Sequence, residues 1–560
     1  MTGQGGNDNT TKASRKKIRV RVPWLAAAPM SVAGVERSQV APMFDRVLTA
    51  RTGRPKKYDT QMVLRMAATY SIAEPHDMHL LAMVDAINEH PEVWAVLGLP
   101  EEGEVPYDAV WRTFNDMRHA CVPAGSPKRV KDFVTGELYD WPDYIGISFD
   151  EVLTRIVNAA CPPQIEPSPR QALDATHLEA WGRRKAWSSK ERPNTVYPHR
   201  GLDGRLVKGS DEDSRESAAT APNNRKDPYL FVGWQPTVMV DTVMAPNGHV
   251  MHLPRALAFP PAGASPADTA RHLVGTFKNV VSPALAEILI DRGYSQSAAE
   301  DLHLPLRKAG VEVVFTLKKD QHVTHPGPEG THTVFINGGL FTDAVPKKFW
   351  HLPLLTRPEN ETHDDKQARL KLEAEYDRLE RYSFARYRSD GDPLVEHLMG
   401  PARRGTVRCV NYPPSMLLPA DSHHPTTDCV EGVPCGCARF VTLGPEPEHH
   451  PRDRRKYVYG SKKWRRAYGQ RNQVESFFAD AKLHLGDFNR EAFRVRGTEG
   501  HGLLAAIYLA GVAVRIAWRE TVCDPVVPEE LRPVPPPVPI KRRQPHNTAR
   551  AAVEARIAAC

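Results

Sequence analysis

The sequence predicts an α/β protein: a mixed five-stranded sheet flanked by helices, with a helical N-terminal domain ahead of it and an insertion subdomain within it. Three observations lead there. Apolar spacing is helical before about residue 163 and strand-like after it. Strand and helix signals then follow in the order three strands, helix, strand, helix, strand. Finally, about 150 residues between Lys319 and Tyr468 fit neither pattern and separate this core from one more charged helix.

Residues 1–57 lack apolar periodicity and end in the basic patch "RTGRPKKYD", whose Arg54 could enter a DNA minor groove; they are expected to be disordered. From 58 to 163 the stretches "TQMVLRMAATYSIAE", "MHLLAMVDAINEHPEVWAVLGL", "PYDAVWRTFNDMRHACV" and "SFDEVLTRIVNAA" carry helical spacing between Pro and Gly breaks, as a DNA-binding domain would. The first part of the core spans 164–320. It opens with the strand "RQALDATHLEAW", followed by a long polar stretch from Lys185 to Asp227 that reads as an insertion. "YLFVGWQPTVMVDTVM" and "VMHLPRALAF" flank a turn at "APNGH" and predict an antiparallel hairpin. Ser265, Pro266 and Asp268 supply an N-cap, a Pro at N1 and an acid at N3 for the next helix. The strand "AEILIDRGY" follows, then a helix opened by the capping pattern Ser297/Glu300, then the strand "VEVVFTLKK". Three antiparallel strands completed by two helix-linked parallel ones is the order of a ribonuclease H-like sheet. There the first strand and the end of the fourth lie side by side, and a later helix crosses the same edge.

The remaining units are an insertion subdomain at 321–460, a second core part at 461–523, and a Pro-rich flexible tail at 524–560. The chain has 560 residues, 41% of them apolar, and a formal charge of +7, so the local clustering of basic residues carries more information than their sum. Eight cysteines do not form a disulfide scaffold, and the polar, then basic, N-terminus has no apolar run of a signal peptide, which points to a reducing cytoplasm. The apolar run Leu503 to Trp518 contains Arg515 and reads as a buried helix, so no membrane partner is expected.

The chemistry is concentrated in "YGQRNQVESFFADAK". On an ideal helix Tyr468, Arg471, Glu475 and Lys482 project within a sector of roughly 60°. A face that polar is either a solvated ion-pair stripe or part of a site. Two acids at strand ends could join Glu475: Asp174 in "LDATH" and Asp291 in "ILIDRGY", where Gly293 allows a tight turn. Asp241 also ends an apolar strand and shows how little one acid says alone. Three carboxylates remote in sequence are what a two-metal phosphoryl-transfer site requires. The segment Arg452 to Arg471 adds nine Lys or Arg and one acid, interleaved with Tyr457, Tyr459, Trp464 and Tyr468. Phosphate neutralisation beside stacking rings is a nucleic-acid signature, carried by Arg454, Arg455, Lys456, Lys462, Lys463, Trp464, Arg465 and Arg466. Cys409, Cys429, Cys435 and Cys437 cluster in the insertion and could bind structural Zn²⁺, with free thiols as the alternative and His423, His424, His449 and His450 as substitute ligands. Cys121, Cys161, Cys523 and Cys560 look incidental.

These motifs resemble those of the DDE transposases of bacterial insertion sequences, in the branch whose third motif reads Tyr-x2-Arg-x3-Glu-x6-Lys. All four positions are matched here, and the resemblance covers about residues 168–520. It departs from the commoner pattern in the long Asp291 to Glu475 interval and in the polar stretch after Asp174. The resemblance implies catalytic Asp174, Asp291 and Glu475 holding two Mg²⁺ (or Mn²⁺) ions, with Arg471, Lys482 and Tyr468 facing DNA. It implies cleavage at transposon ends, strand transfer into target DNA, a dimer on double-stranded DNA, and a bacterial, nucleoid-associated location. Two other readings compete: a metal-dependent DNA nuclease without strand transfer, and a non-catalytic DNA-binding protein derived from a transposase. No Walker A or G-x-G-x-x-G phosphate loop is present.

Overall fold

A computed structural model of the chain describes residues 20–48, 57–122, 128–131, 138–141, 146–181, 211, 213–219, 229–244, 250–318, 321–355, 361–389 and 391–521. Arg54, most of the polar stretch after Asp174, the "APNGH" turn and the tail at 524–560 lie outside the described residues.

Helices α1 (Trp24–Ser38) and α2 (Val40–Leu48) fall inside 1–57, which corrects the expectation of a disordered segment there. Ala28, Val35, Val40 and Phe44 are buried in the main core, a pattern obscured in the sequence by Pro29 and Gly34 within α1. Helix α3 (Thr60–Ala73) starts at Asp59, whose carboxylate accepts the Met62 N–H at 2.8 Å as an N-cap should. Helices α4 (Leu80–Glu89) and α5 (Tyr107–Ala120) follow. Helix α6 (Phe149–Ala159) has Asp150 and Glu151 in its first turn, where the helix dipole favours acids, and buries Phe149, Val152, Leu153 and Val157 on one stripe.

The central sheet comprises β1 (Arg170–Ala175), β2 (Thr237–Met244), β3 (Val250–Ala258), β4 (Glu287–Leu289) and β5 (Glu312–Val314). Their spatial order is β3-β2-β1-β4-β5. Strand β2 is antiparallel to both β1 and β3, while β4 is parallel to both β1 and β5. The fold is thus mixed α/β around a five-stranded mixed sheet. Pro236 ends the expected long strand early: Tyr229–Trp234 joins Arg215–Ala219 and Leu178–Glu179 in a separate antiparallel sheet.

Side chains alternate across the sheet. Leu173, Ile288, Ile290 and Val313 face α7 (Pro266–Val280), whose Ser265 hydroxyl accepts the Asp268 N–H as expected. Ala172, Leu289 and Val314 face the opposite layer. The capping box foreseen at Ser297 and Glu300 does not form. A π-turn at Ala299–His303 leads into α8 (Leu304–Lys308), because Pro305 has no N–H to give the carbonyl four residues back.

The insertion contains two three-stranded antiparallel sheets, one within Thr324–Thr342 and one formed by Ala385–Arg388, Glu396–Met399 and Phe440–Leu443. Between them, α9 (His363–Leu379) opens with a capping box at Thr362 and Asp365. The opposite layer of the core is built by α10 (Lys462–Tyr468), a 3-10 turn at Gly469–Arg471, α11 (Asn472–Ala479), a π-turn at Asp480–His484, and α12 (Thr498–Thr521). Helix α12 is long and apolar enough to cross a membrane, yet 89% of its apolar window is buried inside the protein. It packs on α3, α6 and β3, and Arg515 gives its guanidinium to the Ser71 and Ile72 carbonyls. The N-terminal helices therefore share one core with the sheet.

Candidate active site

Two acids meet through strand register. Ala172 of β1 pairs with Leu289 of β4, so Asp174 and Asp291, each two residues further on, emerge side by side from adjacent parallel strands. Alternation sends Asp174 to the face of Ala172, and Asp291 to the face of Leu289, which is the layer covered by α11. Helix α11 packs across β1, β2 and β3 and carries the third acid, Glu475.

The group that joins the three is Arg471. Its Nη1 donates to Glu475 Oε1 at 2.7 Å, and its Nη2 donates to Asp174 Oδ2 at 3.0 Å and lies 3.8 Å from Asp291 Oδ1. The two aspartate oxygens are thus no further apart than the sum of the latter two distances. The side chain of Arg471 is 11% exposed, that of Asp174 23%, Asp291 41% and Glu475 56%, so the acids rim an opening with the guanidinium at its floor. Burial pushes the Asp174 carboxyl up to about 6 despite the pull of Arg471 and the Ala175 N–H; the negative charges of Asp291 and Glu475 push the same way. The donor set is carboxylate oxygen throughout, the chemistry that suits Mg²⁺ or Mn²⁺, and three carboxylates around one guanidinium leave negative charge to spare. Among the described residues these acids are not gathered as tightly as the cysteines of the insertion, because the guanidinium stands between them.

No family model and no curated protein matches this chain.

Tyr468 ends α10 and stacks on Trp464, with ring centroids 4.9 Å apart and planes at 11°. Its phenol pKa is raised by burial and by the Asp291, Glu475 and Asp174 charges, with Arg471 opposing them. Lys482 follows Glu475 on the same helical run, but in a π-turn that widens it after Ala479. The π-turn swings it so that its ammonium donates to Thr176 Oγ1 and approaches the His177 carbonyl, just beyond Asp174. Burial lowers its pKa to about 8. His177 is lowered to about 4, chiefly by burial and further by Lys482.

Sequence reasoning assigned no role to Tyr294, Thr176 or His177. Tyr294 is buried within electrostatic reach of Asp174 and Asp291, which together with burial raise its pKa. All three residues belong to motifs already quoted, "LDATH" and "DRGY"; proximity to the acids in sequence was the available signal.

The basic segment behaves differently from its expected role as a DNA surface. Arg454 is 4% exposed and pairs with Glu396 at 3.3 Å, and Arg455 lies over the Phe315 ring at 3.8 Å while donating to the Asn337 and Phe315 carbonyls. Trp464 is buried and donates to the Phe315 carbonyl. Lys456 pairs with Glu287, whose partner Arg170 marks the other end of β1 from Asp174. Arg465 pairs with Asp377 of α9 at 2.9 Å. Arg455, Lys456 and Arg465 tie the insertion to the core, and Arg454 and Trp464 are buried within one unit each, which corrects the assignment of Arg454, Arg455, Trp464 and Arg465 to a DNA surface; Lys456 stays exposed beside its pair. Lys462, Lys463 and Arg466 remain exposed. Asp241 is structural: it is buried, pairs with Arg255 at 3.2 Å and accepts the Ser168 N–H.

Cys409, Cys429, Cys435 and Cys437 come together, with all four sulfurs within 4.8 Å of one another, and could bind a metal such as zinc. The histidines offered as substitutes are engaged elsewhere, His424 with Asp421 and His449 with Glu446. Cys121 and Cys161 are buried apart from this group.

Proposed function

We propose that the chain is a DDE-type DNA transposase, cutting phosphodiesters at transposon ends and transferring the freed strand into target DNA. The observation that carries this reading is the register of β1 against β4, which aligns Asp174 with Asp291, together with the Arg471 bridge that draws Glu475 to them. The strand order β3-β2-β1-β4-β5, with only β2 reversed, supports a ribonuclease H-like core for it.

In this reading Asp174, Asp291 and Glu475 would hold two Mg²⁺ or Mn²⁺ ions. Such ions would supply charge neutralisation at the phosphorus and activation of the attacking water or 3′-hydroxyl. Asp174 would serve as a carboxylate, the form that Arg471 favours against the cost of burial. Arg471, which now pairs with all three carboxylates, is the residue whose planar fork would suit a DNA phosphate beside them. Lys482, held at the end of β1 by Thr176 and His177, adds a point charge beside the cut. Tyr468, locked on Trp464, keeps the turn before Arg471 in place. Double-stranded DNA is the partner, bound by two copies when two ends are joined.

The test uses purified full-length protein, Mg²⁺ or Mn²⁺, and labelled duplexes carrying the DNA that flanks its gene. The expected products are 3′-hydroxyl ends and covalent donor-to-plasmid joints, both absent for Asp174→Ala with DNA affinity retained. Cleaved ends without joints would make it a nuclease. Binding with no metal-dependent cleavage on either flank would sink the enzymatic reading altogether.

A further inference from the structure

We propose that Cys409, Cys429, Cys435 and Cys437 hold one zinc(II) ion, and that this ion braces α9 and, through α9, the helix that leads to Glu475. The second half rests on the reading of Glu475 as part of the site; the first half stands without it.

The sulfur spacing suits a tetrahedral site, all four lying within 4.8 Å of one another. Cys409 and Cys435 sulfurs are 3.7 Å apart and those of Cys429 and Cys437 3.6 Å. Tetrahedral Zn–S bonds of about 2.3 Å place sulfurs about 3.8 Å apart. A disulfide would need about 2.05 Å. Four thiolates are soft donors that select zinc over the hard cations suited to the carboxylate site.

A second shell is already built. Thr342 Oγ1 lies 3.3 Å from the Cys437 sulfur, Thr427 Oγ1 donates to Cys429 at 3.2 Å, and Asn411 Nδ2 approaches Cys435 at 3.7 Å. Donors aimed at metal-bound sulfur orient it and stabilise its charge. Asn411 also ties the turn between Cys429 and Cys435, donating to the Val430 and Val433 carbonyls and accepting the Gly432 N–H. The close Cys-Gly-Cys spacing is workable because a side chain at Gly436 would meet the His332 carbonyl at 2.1 Å; glycine lets that corner lie against the neighbouring sheet.

From this corner a chain of contacts reaches the candidate site. The Cys437 carbonyl accepts the Ala402 N–H at 2.9 Å. The loop that follows holds the end of α9: Arg404 donates to the Ser383 carbonyl at 2.6 Å and Thr406 to the Arg381 carbonyl at 2.7 Å. Helix α9 then holds α10, with Tyr376 edge-on to Tyr459 and Asp377 accepting the Lys462 N–H and the Arg465 guanidinium. Helix α10 runs directly into Arg471 and Glu475.

Purified full-length protein should release about one equivalent of zinc on titration with a mercurial, and cobalt substitution should give the thiolate charge-transfer and visible bands of a tetrahedral sulfur site. Metal removal should speed backbone hydrogen exchange about ten-fold or more in 376–383 and 460–468, while β1–β3 and α12 keep their protection. Cys435→Ser, at a half-buried ligand, should reproduce that local loosening in a chain whose overall fold persists by circular dichroism. A metal-free native protein with disulfides or free thiols would overturn the zinc assignment. Zinc present but unchanged exchange in α9 and α10 on its removal would overturn the brace. Neither readout involves DNA cleavage, so each stands whatever the cleavage assay returns.

Discussion

Burial makes the charge on Asp174 costly, and the proposed chemistry needs that charge. The Asp174 pKa is about 6 in the folded chain against about 3.9 for a free aspartate, so between those values the folded state binds a proton that the unfolded state does not. Stability from this group therefore falls as pH rises through that window. Asp174→Asn should melt at a higher temperature than the parent at pH 7 without divalent metal, with the gap closing below about pH 4. It should also lose cleavage completely. An Asn variant that melts lower at pH 7 would show that the Arg471 pair outweighs burial. Lys482 presents the opposite case. Its lowered pKa of about 8 means that its charge is lost just above neutrality. DNA affinity should weaken as pH rises through about 8, and Lys482→Arg, whose guanidinium stays charged, should flatten that dependence in a binding titration.

The strands were legible as short apolar runs, which gave β1 and β2; α11 was legible by the helical spacing of its polar residues, and the Ser265 cap gave the start of α7. The sites of Asp174 and Asp291 followed from strand ends. What the sequence concealed is which cations face solvent. Arg454 and Arg455 look like Lys462, Lys463 and Arg466 in a string of letters, but the first two are turned inward, Arg454 to the Glu396 carboxylate and Arg455 to the Asn337 and Phe315 carbonyls. Burial of a guanidinium stem depends on partners more than 100 residues away in sequence, such as Asn337 for Arg455, and no local pattern reports them. Helix α1 was hidden for a related reason, since Pro29 interrupts its pattern while tertiary contacts with α3 and α6 sustain it. The two sets of cations should separate by mutation. Lys462→Gln with Arg466→Gln should weaken DNA binding and shift stability by no more than about 0.5 kcal/mol. Arg454→Ala leaves Glu396 buried with one cation fewer and should cost about 2–4 kcal/mol in denaturant unfolding. Equal stability losses in the two variants would refute the division.

Across the whole molecule, α12 is shared property. It closes the layer over the sheet and also fills the N-terminal helical unit: Ser71 donates to the Ile507 carbonyl, and Tyr508 donates to the Pro75 carbonyl. The unit at 58–163 expected from the sequence therefore shares part of its core with α12. Expressed alone, it should show no cooperative thermal transition by circular dichroism, whereas a chain retaining α12 should; a sharp transition in the fragment would restore it as an independent domain. The same feature orders events at synthesis. Ser71 and Ile507 are 436 positions apart, so the first helices leave the ribosome long before the helix they close upon. Asp174 and Asp291 are translated early and wait without their cover, and the carboxylate cluster proposed to cut DNA comes into being only when nearly the whole polypeptide has emerged.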